Sequence, residues 1–309
     1  MKQMTYKNIL LLGGGGFIGT ALAQRLCENN FNVHLLSKHF ATKQIKPNII
    51  LHQGSLDDRE ILEQLLPQCR TVIHLASSTT PGSSSRQPAL ESDKTITPTL
   101  RFLDILQDYK HVHIIFVSSG GTLYGNPESH PVNEAQPINP LSFHGAGKVA
   151  LEIFLRTFST LSGNNITIVR PSNVYGPEQP LRSGFGVIRT MLEHVRRATV
   201  MEIWGDGTSV RDFLYIEDML SALIPLVDLP DDDNTYNLGS GVGYSLNQLK
   251  EIIESVCGKK LSAVYRPSRK TDVKTIVLDS SRLIRRTNWQ PKVSLEQGIE
   301  MTWKWLKNQ

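Results

Sequence analysis

Cysteine is scarce in this chain and poorly placed for a shared role. The 309 residues include only Cys27, Cys69 and Cys257, an odd number, far apart and without Cys-x-x-Cys spacing. Neither a disulfide framework nor a thiolate metal site is indicated, and a reduced, cytoplasmic compartment is expected. No signal-like apolar core precedes the first apolar run, and no apolar stretch approaches the roughly 18 residues that span a bilayer. Membrane association would have to come through a partner or substrate. Dense Lys/Arg runs are also missing, and the net charge of +4 suits an anionic small molecule better than nucleic acid. The nine histidines show no His-x-x-x-His spacing, so no metal is expected. Internal repeats and low-complexity tails are absent.

Glycine, by contrast, is concentrated at one place. The run Gly13-Gly14-Gly15-Gly16-Phe17-Ile18-Gly19 follows the apolar stretch Ile9 to Leu12 and precedes the helix-like Thr20 to Asn29. It satisfies both Gly-x-Gly-x-x-Gly (Gly14, Gly16, Gly19) and Gly-x-x-Gly-x-x-Gly (Gly13, Gly16, Gly19). A strand that turns through glycines into a helix presents bare backbone N–H groups and a positive helix end to a pyrophosphate. The second strand expected of a βαβ unit follows at Asn32 to Leu36. The chain is therefore expected to open with a dinucleotide site.

Further buried-strand patterns occur at Ile49–His52, Thr71–Leu75, His113–Val117 and Ile166–Val169, alternating with helical patterns at Asp58–Leu66, Thr97–Gln107 and Gly147–Leu161. This alternation predicts an α/β fold, a doubly wound parallel (Rossmann) sheet. Loops rich in Ser, Gly and Pro at Ser77–Gln87 and Gly125–Leu141 follow strand ends, where such sheets bind ligands. After Arg170 the elements shorten: helices near Gly186–Arg197, Ile216–Asp228 and Ser245–Val256, a strand at Glu202–Trp204, and a Gly205-Asp206-Gly207 turn. The expected division is a dinucleotide-binding domain over residues 1–170, to which later segments return, and a smaller α/β substrate-binding part over 171–309.

At this point the residues resemble the extended short-chain dehydrogenase/reductase family, the sugar-nucleotide epimerases and dehydratases typified by UDP-galactose 4-epimerase. The likeness runs through Gly13–Gly19, His74-Leu75-Ala76, Val117-Ser118-Ser119, Leu123-Tyr124-Gly125, Lys148, Arg170 to Pro177, Gly205-Asp206-Gly207, Arg211-Asp212-Phe213, Tyr236 to Gly241 and Asp272-Val273. It implies a cofactor site at Gly13, Gly16, Phe17, Ile18, Gly19, Ser37, Lys38, Ser55, Leu56, Leu75, Ala76 and Lys148. It implies substrate contacts from Asn173 and from Arg211 and Arg269, with Asp272 beside the latter. The helices Thr97–Gln107 and Gly147–Leu161 resemble the pair that builds a dimer interface in relatives, so a homodimer is expected.

Three departures from the family pattern bear on function. Where NAD-preferring relatives carry an acid after the second strand, this chain reads Ser37-Lys38; a hydroxyl and a cation suit a 2′-phosphate, so NADP is favoured with NAD as the alternative, unless Lys38 is only a solvated loop charge. Ser55 stands where the family has an aspartate for the adenine amine. The family's catalytic tyrosine, four residues before Lys148, is His144, and its serine or threonine falls on Gly120, leaving Ser119 and Thr122 as the nearby hydroxyls. Spacing of four puts His144 and Lys148 on one helix face. A neutral imidazole can accept a proton without the large pKa correction a phenol needs. Tyr124 and Tyr175 belong to motifs the family uses structurally. The leading expectation is a UDP-hexose or N-acetylhexosamine 4-epimerase. The alternatives are an NADPH-dependent reductase of a nucleotide-linked 4-keto sugar and a catalytically silent nucleotide-binding protein. A dehydratase is disfavoured because its Asp-Glu pair is replaced here by Gly121-Thr122.

Overall fold

The computed structural model describes residues 7–40, 46–80, 82, 87–182, 184–230, 234–269 and 272–309. The first part of the chain runs β1 (Asn8–Leu12), α1 (Phe17–Glu28), β2 (Asn32–Ser37), β3 (Ile49–Gln53), α2 (Arg59–Leu65), β4 (Cys69–His74), α3 (Ala89–Glu91), α4 (Thr97–Leu106), β5 (His113–Val117), α5 (Gly120–Leu123), α6 (Phe143–Ser162) and β6 (Ile166–Pro171). The rest runs β7 (Asn173–Tyr175), α7 (Val187–Arg197), β8 (Met201–Trp204), β9 (Val210–Tyr215), α8 (Ile216–Val227), β10 (Asn234–Leu238), β11 (Gly243–Ser245), α9 (Leu246–Cys257), β12 (Ala263–Arg266), β13 (Thr275–Ile276), α10 (Ser281–Thr287) and α11 (Leu295–Lys307).

Seven strands form one sheet in the order β10-β6-β5-β4-β1-β2-β3, with every neighbouring pair parallel. Side chains alternate across a strand, so β1 feeds two separate cores: Ile9 and Leu11 pack into one layer, Leu10 and Leu12 into the other. Helices therefore cover both faces, as a parallel sheet requires. The strand order reverses between β1 and β4, the place where open α/β sheets leave a ligand crevice.

The six strands expected from apolar runs are β1 to β6. β10 was not among them, because its sequence NTYNL lacks an apolar run. Asn237 is buried by hydrogen bonding instead: its amide donates to the Val132 carbonyl at 2.8 Å and accepts from the Tyr124 hydroxyl at 2.7 Å. A smaller sheet of β11, β9 and β13, with β7 also on β9, and the pair β12–β8 lie beyond the main sheet.

Helix α6 carries the residues of greatest interest. The Ser142 hydroxyl caps its start by accepting from the Gly145 N–H at 3.1 Å, and Gly163, at φ +80°, ends it in a left-handed turn. A buried ion pair fixes its rotation: the Arg170 guanidinium of β6 meets the Glu152 carboxylate at 2.6 and 3.0 Å and donates to the Tyr124 hydroxyl at 2.8 Å. Removing one partner of such a pair costs about 3–5 kcal/mol, because the other charge is left buried alone.

Candidate active site

Beyond β1 the chain turns at Gly13, whose φ of +79° and whose approach to β4 both exclude a side chain; a Cβ there would lie 2.6 Å from Ala76 Cα. A Cβ on Gly19 would lie equally close to Gly14 Cα, so α1 packs directly onto the turn. The Gly13 N–H donates to the Leu36 carbonyl at 2.9 Å and the Leu75 N–H to the Leu12 carbonyl at 2.9 Å, which ties the loop to both neighbouring strands. Gly16 precedes α1 without any side-chain cap. The first N–H groups of that helix, from Phe17 to Gly19, have no carbonyl partner within it and are suited to an anion. A bare backbone cradle at the reversal point, with Ala76 as its far wall, fits a dinucleotide pyrophosphate.

Around the adenosine end of such a ligand, Ser37 closes β2 and its hydroxyl donates to the His39 carbonyl at 3.0 Å. Lys38 is exposed. The Ser55 hydroxyl donates to the Asp57 carboxylate, and Leu56 packs against the core on the α2 face.

His144 and Lys148 are both buried on α6. The Lys148 ammonium donates to the Val117 carbonyl at the end of β5, at 3.0 Å, and lies 4.9 Å above the Phe116 ring. Burial pushes its pKa down to about 8, with the Glu91 and Glu152 carboxylates pulling the other way. Burial, and then the Lys148 charge, push His144 down to about 3, so its ring is neutral at pH 7. Two glycines let α6 come this close to its neighbours. A Cβ on Gly145 would stand 2.7 Å from the Thr122 carbonyl, and one on Gly147 would stand 3.0 Å from Glu91 Oε2.

Gly120 has a packing explanation: a Cβ there would lie 2.8 Å from the Arg170 carbonyl and 2.5 Å from Leu278 Cδ1. No serine fits without displacing β6. Ser119 sits at the start of α5 with its hydroxyl making no cap bond, while the Thr122 hydroxyl turns back to the Ser119 carbonyl at 3.4 Å.

Two side chains absent from the sequence candidates complete the cluster. The Thr79 hydroxyl lies 3.1 Å from His144 Nδ1 and donates to Glu91 Oε2 at 2.9 Å. Glu91 Oε1 is 3.8 Å from the same ring nitrogen. Both residues are almost fully buried. The glycines at 145 and 147 signal a close neighbour to α6 but do not identify it.

On the substrate side, the Asn173 amide donates to the Asp212 carbonyl at 2.9 Å and borders Gly121. Arg211 follows the line of β9 and donates to the Val210 carbonyl at 2.9 Å; burial lowers its pKa, with the Asp272 charge opposing that in part. The Arg269 N–H donates to Asp272 at 3.4 Å and its guanidinium stacks 3.9 Å above the Trp204 ring. Asp272 is thus linked to Arg269 through the backbone and to Arg211 through its charge, while the two guanidinium groups lie on Trp204 and on the Val210 and Lys274 carbonyls. Residues 81 and 83–86 of the Ser77–Gln87 loop lie outside the described residues; a Cβ on Gly82 would lie 3.5 Å from Gly184 Cα, so this loop and the segment before α7 are near neighbours. Among the described residues no group of three or more His, Cys, Asp or Glu side chains is placed to hold a metal, and no helix is long and apolar enough to cross a membrane.

Comparison with known proteins agrees with this geometry. The family model described as "NAD dependent epimerase/dehydratase family" matches residues 9–239. A putative UDP-glucose 4-epimerase of Methanocaldococcus jannaschii is 32% identical, over 97% of this chain and 98% of its own length. The crystal structure of a Thermotoga maritima UDP-glucose 4-epimerase with UDP-glucose is 32% identical and superposes with a TM-score of 0.91 over 97% of this chain and 99% of that one. A Thermus thermophilus UDP-glucose 4-epimerase, 26% identical with a TM-score of 0.89 over 97% of this chain and 99% of that one, was solved as a complex with NAD. That last finding overturns the expectation that Ser37-Lys38 favours NADP. The structure gives the physical reason: the Ser37 hydroxyl is engaged by the His39 carbonyl and Lys38 is a solvated charge. The chain belongs to the NAD dependent epimerase/dehydratase family.

Proposed function

We propose that the protein is a nucleotide-sugar 4-epimerase that acts on a UDP-linked hexose or N-acetylhexosamine by transient oxidation at C4. The observation that carries this reading is the buried pair His144 and Lys148, one turn apart on α6 beside the end of β5, in a chain of this family. The Thermotoga relative's complex with UDP-glucose supports the sugar-nucleotide class.

When bound, NAD supplies the acceptor and then the donor of the C4 hydride. The Gly13–Gly19 cradle would hold its pyrophosphate, and Lys148 would meet the nicotinamide ribose. His144 takes the proton of the C4 hydroxyl as hydride departs and gives it back on return, a role open to it because the ring is neutral at pH 7. The Lys148 cation disfavours a lasting imidazolium, so the proton is returned. Ser119, whose hydroxyl makes no cap bond, assists at the sugar oxygen, with Thr122 in reserve. Arg211 and Arg269 clamp the diphosphate, a task suited to guanidinium geometry, and the Asn173 amide orients the sugar. A second copy of the chain docks on α6, where Phe154 and Leu161, seven residues apart, are exposed on one face.

The test is proton NMR of the protein with NAD and each of UDP-glucose, UDP-galactose and their N-acetyl forms. A new anomeric signal without net NADH formation is expected. Intact sugars throughout would overturn the reading, in favour of a reductase if NADH is consumed with a 4-keto sugar, or of a silent binding protein if nothing turns over.

A further inference from the structure

The Thr79 hydroxyl has one hydrogen and faces two partners. Glu91 Oε2, at 2.9 Å, is a carboxylate oxygen and accepts that hydrogen. The remaining role for Thr79 toward His144 Nδ1, at 3.1 Å, is then to accept, which requires the imidazole proton to sit on Nδ1. A neutral imidazole has one N–H, so Nε2 is left as the bare lone pair. The groups form a continuous buried chain: Thr79, Glu91 and His144 are exposed by 3%, 4% and 8%. Glu91 sits close against Gly147, where a Cβ would lie 3.0 Å from Glu91 Oε2. Its second oxygen, Oε1, has no hydrogen-bond partner among the described residues and stands 3.8 Å from Nδ1.

We propose that Thr79 and Glu91 are positioning residues for His144: they fix the imidazole in its Nδ1–H tautomer so that Nε2 is the proton acceptor, and the Glu91 carboxylate stabilises the imidazolium while it holds the substrate's proton. The argument about the tautomer stands on geometry alone, whereas its consequence for turnover rests on the epimerase reading given above. A buried carboxylate that orients a base through a hydroxyl does the work that, in proteases, an aspartate performs on its histidine directly. During the reaction the proton moves from the sugar hydroxyl to Nε2 and back to the sugar, and the Nδ1–H···Thr79···Glu91 bonds persist throughout. The accompanying hydride would be accepted and returned by NAD, and the proton transfer needs no further reactant.

The experiment is a long-range 1H–15N correlation spectrum of 15N-histidine-labelled protein with NAD present, the His144 signals being assigned by their loss in His144→Gln. Expected is a protonated Nδ1 and a bare Nε2 in the wild type, a redistribution toward the Nε2–H form in Thr79→Val, and recovery of the wild-type pattern in Thr79→Ser. Turnover of the Thr79→Val and Glu91→Gln variants should fall about 10- to 100-fold with KM little changed, a split expected of an orienting partner. A wild-type His144 with its proton on Nε2 overturns the proposal, as does a Thr79→Val protein with unchanged tautomer and turnover. The wild-type spectrum needs no substrate, so it decides the tautomer even if no sugar proves to be epimerised.

Discussion

The glycine cradle and the His144 cluster stand side by side at the same end of the sheet, and they are built in opposite ways. The cradle works by the absence of side chains: Gly13 meets Ala76, Gly19 meets Gly14, and the ligand-facing groups are backbone N–H donors that cannot titrate. The cluster works by side chains alone, brought from the loop after β4, from α3 and from α6, and each group's state depends on the others. Backbone chemistry is indifferent to pH and intolerant of volume. Side-chain chemistry is the reverse, tolerating small changes of shape and responding to every charge nearby.

The sharpest break between the two is His144→Ala. Turnover should fall by about 10²- to 10⁴-fold, the usual worth of a general base, while NAD affinity measured by calorimetry stays within about twofold. An unchanged rate would remove His144 from proton transfer. The converse variant is Gly13→Ala, which places a methyl against Ala76 in a left-handed backbone and should strain the turn by about 1–3 kcal/mol. NAD should then bind about 10- to 100-fold more weakly, and equal affinity would refute the cradle as the pyrophosphate site.

A third comparison uses pH. Lys148 loses its proton as pH rises through about 8, so turnover should fall about tenfold per unit above that point. Unfolding through this group is not the cause. Its folded pKa lies below the unfolded value, so between about 8 and 10.5 the unfolded chain binds more protons and this group's contribution to stability rises with pH. A flat rate profile to pH 9.5 would show that the cation is not needed. The smallest effect is expected from Lys38→Ala, less than about threefold on NAD affinity, because an exposed charge contributes little. A large loss there would restore a cofactor role to Lys38.

The same contrast explains what was legible in the sequence. Gly13 to Gly19 could be read because its requirement is local: a tight turn needs glycines in one short run, next to an apolar strand and a helix. Strands β1, β2, β4, β5 and β6 were legible because burial on both faces leaves continuous apolar runs, and the edge strand β3 because it keeps an apolar run although Ile50 and Leu51 are exposed. β10 was not, since Asn237 is buried by hydrogen bonds to Val132 and Tyr124 that lie more than 100 residues away in sequence. His144 and Lys148 could be paired from helical spacing. Thr79 and Glu91 gave no such signal, because what links them to His144 is the fold of three separate segments. The cofactor preference went wrong at Ser37 for a related reason: residue type suggested a phosphate contact, but the hydroxyl's real partner is a neighbouring backbone carbonyl.

The close seat of Glu91 on Gly147 has a bearing on how such a site is inherited. A larger residue at 147 would push the carboxylate away, and a carboxylate at 91 without an imidazole at 144 would sit buried beside Thr79 with nothing to orient. The three positions form a unit of descent: among relatives, an acid at 91, a histidine at 144 and a glycine at 147 are expected to be gained or lost together, leaving in the alignment a record of the proton-handling chemistry that any single sequence conceals.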